Sequence, residues 1–292
     1  MEMAKDILTH IKENMSSFSK GQKLIANFIL ESYDKAAFMT ACKLGKTVNV
    51  SESTVVRFAA ELGYDGYPSM QKALQEMIRN KLTSVQRIEV SNDRIGDQDI
   101  MSMVMQSDIE KIRMTLEETD RASFEKAVEA ITAAKRIYIL GVRSASALAN
   151  FMSFYFTYIF DNVVHVDTTS ISEVFEQVMR IEPGDVLIGL SFPRYSKRTV
   201  KAMKYAVKQG AQVVAITDSE TSPLASIADV SLFAKSDMAS FVDSLVAPLS
   251  LVNALIVAVS RKMNDQLEAT FSKLEQIWAE YEVYERPEDD TK

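Results

Sequence analysis

A single cysteine, Cys42, among 292 residues excludes an intrachain disulfide and a cysteine-based zinc cluster. The only histidines are His10 and His165, too few for catalysis or metal binding that calls on several imidazoles. Glycine and proline together number 15, which sets aside collagen-like and disordered compositions. The opening MEMAKDILTHIKEN carries charges throughout and lacks an apolar signal core, so no secretory targeting is expected. The best membrane candidate, the 17 uncharged residues Ser244 to Ser260, contains Pro248, Asn253 and three serines. It falls short of the roughly 20 apolar residues a span needs, so a buried or interface helix is expected and no membrane partner. One thiol and no targeting signal suit a reducing cytoplasm.

What is present is ordinary globular material, 47% hydrophobic and 25% charged. At about 100 to 200 residues per domain, this length points to two domains. The net charge of −7 argues against general coating of nucleic acid, but the balance is uneven. Residues 1 to 80 carry net +1 and the rest net −8.

From Ala4 to about Arg79 the pattern is helical, with helices expected over Ala4 to Met15, Lys20 to Ser32, Thr40 to Lys46, Ser51 to Leu62 and Tyr67 to Lys81. Between Ser84 and Gln98 the periodicity breaks and polar residues accumulate, which reads as a linker. A helical stretch from Asp99 to Ala134 follows. Strands are then expected at Arg136 to Leu140, Asn162 to Val166, Val186 to Ser191, Gln212 to Thr217 and Val230 to Phe233, most of them separated by helical patterns. Such strands, rich in Val, Ile and Leu, indicate a parallel sheet covered on both faces. The fold class is therefore an all-α domain followed by a three-layer α/β domain.

The most informative stretch runs from Thr40 to Leu74. Ser51 is a natural N-cap and Gly63 can end the same helix in the left-handed conformation. Val55, Phe58 and Leu62 make its buried stripe, leaving Ser53, Thr54, Arg57 and Glu61 on the other side. Before it lies another short helix and a turn at Val48-Asn49-Val50, where Asn49 can take the positive φ required. Two helices across a tight turn form a helix-turn-helix that could enter a DNA major groove. Arg57 can bond to guanine or phosphate, Ser51, Ser53 and Thr54 to base edges or phosphate, and Lys43, Lys46 and Lys72 can flank the backbone. By spacing alone, a helical bundle with a solvated polar face remains open. Cys42 reads as a small core residue rather than a thiol switch.

In the second domain the first strand runs into Gly141-Val142-Arg143-Ser144-Ala145-Ser146 at a helix start, where free amides, hydroxyls and the helix dipole can hold an anion such as phosphate. The third strand runs into Ser191-Phe192-Pro193-Arg194-Tyr195-Ser196-Lys197-Arg198 at another. In open α/β sheets ligands settle outside the carboxyl ends of strands, so these two loops can converge on one anionic ligand. Neither a Rossmann nor a Walker glycine pattern occurs, so no nucleotide cofactor is expected. Glu173 and Asp243 are the carboxylates best placed for proton transfer, yet both read more simply as helix-start charges. His165 reads as a sheet residue. No catalytic residue and no metal ligand is assigned. The apolar helices FMSFYFTYIF and SLVAPLSLVNALIVAV can be buried in a monomer core or against a partner subunit.

The run VSESTVVRFAAELGYDGYPSMQKAL resembles the N-terminal domain of the RpiR family of bacterial transcription regulators. Its pattern is matched by Val50, Ser51, Thr54, Val55, Arg57, Phe58, Leu62, Gly63, Tyr64, Gly66 and Tyr67. The loops and strand pattern resemble the SIS (sugar isomerase) domain that follows in that family. There Gly141, Arg143 and Ser144 match the first phosphate loop, and Ser191 and Ser196 the outer positions of the second. Pro193 and Arg194 replace an inner Ser-Gly, exchanging a hydroxyl and a flexible glycine for a guanidinium. The resemblance implies a helix-turn-helix DNA-binding domain over 1–80, a linker over 81–98, a SIS domain over 99–284 and an acidic tail over 285–292. It further implies a cytoplasmic regulator of sugar metabolism, not an enzyme. Its partners are double-stranded operator DNA and a phosphorylated sugar, with Ser146 and Arg194 joining the ligand set, and it assembles as a homodimer or homotetramer. The alternatives are an aldose-ketose phosphate isomerase with a helical oligomerisation domain, and a sugar-phosphate sensor acting through a protein partner.

Overall fold

The computed structural model describes residues 7–79, 83–88, 99–167, 170–237 and 242–284. The chain divides into two compact units, residues 1–103 with 238–243, and residues 104–237 with 244–292. Most of the expected linker, the acidic tail and the start of the first helix lie outside the described residues. The described part of the linker, 84–88, is a helical turn and not extended chain, opened by Thr83, whose hydroxyl accepts from the Gln86 amide.

The first unit is helical: α1 (Ile7–Glu13), α2 (Lys20–Glu31), α3 (Tyr33–Ala36), α4 (Ala41–Thr47), α5 (Glu52–Glu61) and α6 (Tyr67–Arg79). Helix α2 begins at a capping box in which Ser19 and Gln22 satisfy each other's backbone amides. The amphipathic helices pool Ile11, Ile25, Ile29, Leu44, Val55, Phe58, Met70 and Leu74 into one core. Phe18 meets Phe58 edge-on at 5.0 Å. Helix α6 is tied to the α3–α4 connection, where Tyr67 donates to Met39 O at 2.7 Å and Gln75 to Ala37 O at 2.8 Å. Burial pushes the Tyr67 phenol up to about 12.

In the second unit α7 (Ile100–Glu118), from Val104 onward, and α8 (Arg121–Thr132) precede β1 (Ile137–Gly141), α9 (Ala145–Ile159), β2 (Val163–Val166), α10 (Ile171–Val178), β3 (Val186–Leu190), α11 (Lys197–Lys208), β4 (Gln212–Thr217), β5 (Val230–Phe233), α12 (Val246–Lys262) and α13 (Asn264–Glu280). The helical stretch expected from Asp99 to Ala134 forms two helices parted at Asp120, whose carboxylate accepts from the amides of Ala122 and Ser123 and so starts the second. The five strands are all parallel in the order β2-β1-β3-β4-β5. One face of the sheet packs with α8, α9 and α12, the other with α10 and α11, giving the three layers expected. A Cβ on Gly189 would stand 2.6 Å from Met203 Sδ, so glycine in β3 is what lets α11 lie so close. Among the described residues no single helix is long and apolar enough to cross a membrane.

Phe58→Ala removes the ring at the centre of the first core and is expected to cost that unit about 3–5 kcal/mol. Urea unfolding followed by circular dichroism checks it.

Candidate functional site

Helices α4 and α5 are joined by the turn at residues 48–51. Thr40 caps α4, its hydroxyl accepting from the Lys43 amide, and Ser51 caps α5, accepting from the Thr54 amide at 3.2 Å. Asn49 takes φ 57°, and Val50 N donates to Gly45 O at 2.8 Å, closing the turn. A Cβ on Gly45 would stand 2.9 Å from Val50 O, so this glycine lets the turn approach α4. Gly63 ends α5 at φ 84°.

This frame fixes what α5 shows to solvent. Val55, Phe58 and Leu62 are buried, while Ser53 and Arg57 are exposed and Thr54 is half-buried. The Ser51 hydroxyl lies 2.9 Å from that of Ser53 and 2.8 Å from that of Thr54, and Arg57 Nε donates to Ser53 O. The guanidinium is thus drawn back toward the helix N-terminus, where hydroxyls and free amides also gather. Lys43, Lys46 and Lys72 are exposed as well. Glu61 is engaged by Gln22 of α2. Cys42 is also exposed, contrary to its expected place in the core. Helix α4 buries Leu44, and at 100° per residue position 42 falls about 160° round the helix from it.

In the second unit the loops after β1 and β3 leave adjacent strands. Gly141 pairs in register with Leu190, so both loops start at one level, and the order β2-β1-β3 makes their junction the topological switch point. A Cβ on Gly141 would collide with Ala145 O, so only glycine permits the sharp entry into α9. Arg143 takes φ 59° and Arg194 φ 68°, and both side chains are exposed. Each loop therefore holds an arginine in the left-handed region that glycine favours, at a cost of roughly 1–2 kcal/mol.

The hydroxyls differ in their ties. Ser144 is exposed and makes no cap bond, and Ser146 donates to Arg143 O at 2.6 Å. Ser191 is 4% exposed and its Oγ accepts from the Ser196 amide at 3.0 Å, while Ser196 Oγ caps α11 by accepting from Arg198 N and Thr199 N. A hydroxyl that accepts from an amide still has its proton to donate, and an anion needs donors. Behind this loop lies a third, after β4. Thr217 Oγ1 stands 2.8 Å from both Ser191 O and Ser222 Oγ, and Tyr195 donates to Asp218 Oδ1 at 2.7 Å. The sequence reading passed over this brace, although Thr-Asp at the carboxyl end of a Val/Ile strand is its signal.

Of the two carboxylates weighed for proton transfer, Glu173 is exposed in the first turn of α10. Asp243 stands three residues before α12 and accepts from Arg87 Nη1 at 2.7 Å, so an ion pair accounts for it better than a helix start does. His165 lies on edge strand β2, half-buried. Among the described residues no group of His, Cys, Asp and Glu could hold a metal ion.

Known proteins match both units. Residues 5–81 match the helix-turn-helix domain of the rpiR family and residues 130–258 match the SIS domain. An uncharacterised HTH-type transcriptional regulator of Caldanaerobacter subterraneus subsp. tengcongensis is 25% identical over 267 residues, covering 88% of this chain and 91% of its own. The NanR protein of Vibrio vulnificus, solved in complex with ManNAc-6P, superposes with a TM-score of 0.59 at 24% identity, over 94% of this chain and 98% of its own. The sugar isomerase domain of an RpiR transcription factor from Sphaerobacter thermophilus superposes with a TM-score of 0.58 at 27% identity, over 61% of this chain and 99% of its own. The chain thus joins a helix-turn-helix domain of the rpiR family to a SIS domain built on a parallel five-stranded sheet.

Proposed function

We propose that α5 reads double-stranded operator DNA and that a phosphorylated sugar, held by the loops after β1 and β3, sets how firmly it does so. The observation that carries this reading is the row of exposed Ser53, half-buried Thr54 and exposed Arg57 at the N-terminal end of a helix whose other side is core. Ser51, Lys43 and Lys46 contact phosphates on either side of the groove, which fixes position, and Arg57 reads a base edge. In the second unit Arg143 and Arg194 offer bidentate hydrogen bonds to a phosphate, and Ser144, Ser146, Ser191 and Ser196 with the backbone at Gly141 complete the cradle. The Vibrio protein's ManNAc-6P makes an amino-sugar 6-phosphate the natural first probe.

The effector acts by binding two arrangements of the protein with different affinity, since equal affinity would shift nothing. A two-fold operator asks for at least a homodimer, and the exposed Phe154, Tyr155, Leu249 and Val257 on α9 and α12 supply an apolar face for it. The protein works in the reducing cytoplasm, where the free thiol of Cys42 is stable. Turnover of sugar phosphates by the purified protein would return the isomerase reading.

Arg57→Ala is expected to weaken operator binding by about 1–3 kcal/mol, roughly 5- to 150-fold, while leaving the thermal shift given by the sugar phosphate unchanged. Fluorescence anisotropy and differential scanning fluorimetry read the two. An operator affinity untouched by this change would contradict the DNA reading. Arg194→Gly relieves a left-handed arginine and is expected to raise stability by up to about 1 kcal/mol while lowering affinity for the phosphorylated sugar. Thermal melts with and without ligand measure both effects, and unchanged affinity would remove Arg194 from the site.

A further inference from the structure

Helix α7 is inverted. The residues it buries are polar, Lys111 and Thr115. Lys111 Nζ donates within the helix to Ser107 Oγ at 2.6 Å, while Thr115 Oγ1 accepts from Lys235 N at 2.9 Å and Asp108 accepts from Ser244 Oγ at 2.6 Å, and these last two hydrogen bonds dock the helix. Its large apolar side chains face water: Met105 is 60% exposed, Ile109 55%, Ile112 36% and Leu116 59%. Their spacing of 4, 3 and 4 gathers them into one stripe at 100° per residue. Scattered exposed apolar residues are ordinary, but an aligned stripe over three turns marks a surface made to be covered.

Spacing and charge say by what. Alternating steps of four and three residues are the seam that a second helix fills, knob into hole. The stripe is flanked by Glu110, Arg113 and Glu117, with Arg113 bonded to Glu110 at 2.7 Å, and such mixed charge is unlike the Lys/Arg-rich flank of a membrane-surface helix. The longest segments of the chain outside the described residues, 89–98 and 285–292, read EVSNDRIGDQ and ERPEDDTK and carry no apolar repeat to lay on it. The 4-3-4 spacing reads the same in both directions, as a two-fold contact requires of a surface that must match itself.

We propose that α7 pairs antiparallel with α7 of a second copy of this chain, a helical seam separate from the aromatic face of α9 and α12. The pairing sets Ile109 on the partner's Ile112 and Met105 on the partner's Leu116, and it opposes the two helix dipoles. This goes beyond the DNA-binding reading. If both faces are used, two different two-fold contacts on one domain close a four-chain assembly.

Sedimentation velocity on the full chain tests the seam. Ile109→Glu and Ile112→Lys, each alone, are expected to halve the mass of the wild-type assembly. Together in one chain they set Glu opposite Lys across the antiparallel seam and are expected to restore it. A wild-type protein of one chain, single variants that keep the wild-type mass, or a double variant no larger than the single ones would each overturn the proposal. Cys42→Ser with Ile109→Cys and Ile112→Cys gives a second measurement that introduces no charge. Mild oxidation must yield a disulfide-linked two-chain species, and its absence likewise overturns the seam. Operator affinity through Arg57 is read separately, so failure of either idea is told apart from failure of the other.

Discussion

Everything placed at the proposed effector site depends on the parallel register that sets Gly141 of β1 beside Leu190 of β3. Because β2 lies on one side of β1 and β3 on the other, the helices that follow β1 and β3 depart to opposite faces of the sheet, and their N-termini open a crevice between them. Free amides and two arginines border that crevice. Slipping one strand by a single residue would turn its side chains to the opposite face and carry one loop off the level of the other. Buried Val, Ile and Leu on both faces of β1 and β3 fix the register.

The two units are built on different terms. In the first, capping decides the outcome: Ser19, Thr40 and Ser51 each satisfy amides that would otherwise go unpaired, and the short helices they start share one core. Rigidity there suits a surface that must meet bases at fixed spacing. In the second, left-handed arginines at 143 and 194 hold strain in the two loops of the proposed ligand site, and the loop that carries Arg194 is braced from behind by Thr217 and Asp218. Strain of that kind persists only where neighbouring structure over-determines it.

Much of this was legible in the sequence because the relevant signals are local. Serine before an apolar run, glycine after it and asparagine in a tight turn each state a backbone requirement, and Ser51, Gly63 and Asn49 meet theirs. The strands were readable for the same reason, since an apolar run such as VLIGL fits only a doubly covered sheet. What escaped was set by partners distant in sequence or by geometry between elements. Cys42 was misplaced because composition ranks cysteine as buried, whereas the face of α4 is chosen by Leu44. The break at Asp120 was missed because the helical period resumes two residues later. The engagement of Asp243 with Arg87 spans 156 residues, and no local pattern announces it.

The central claim is a coupling between the helix proposed to read DNA and the crevice proposed to hold the anion, and such coupling is reciprocal. Isothermal titration of the phosphorylated sugar into the protein, free and saturated with operator DNA, measures it most directly. The account predicts two different affinities, with a ratio equal to the factor by which the same sugar changes operator affinity. Identical affinities with and without DNA would contradict it.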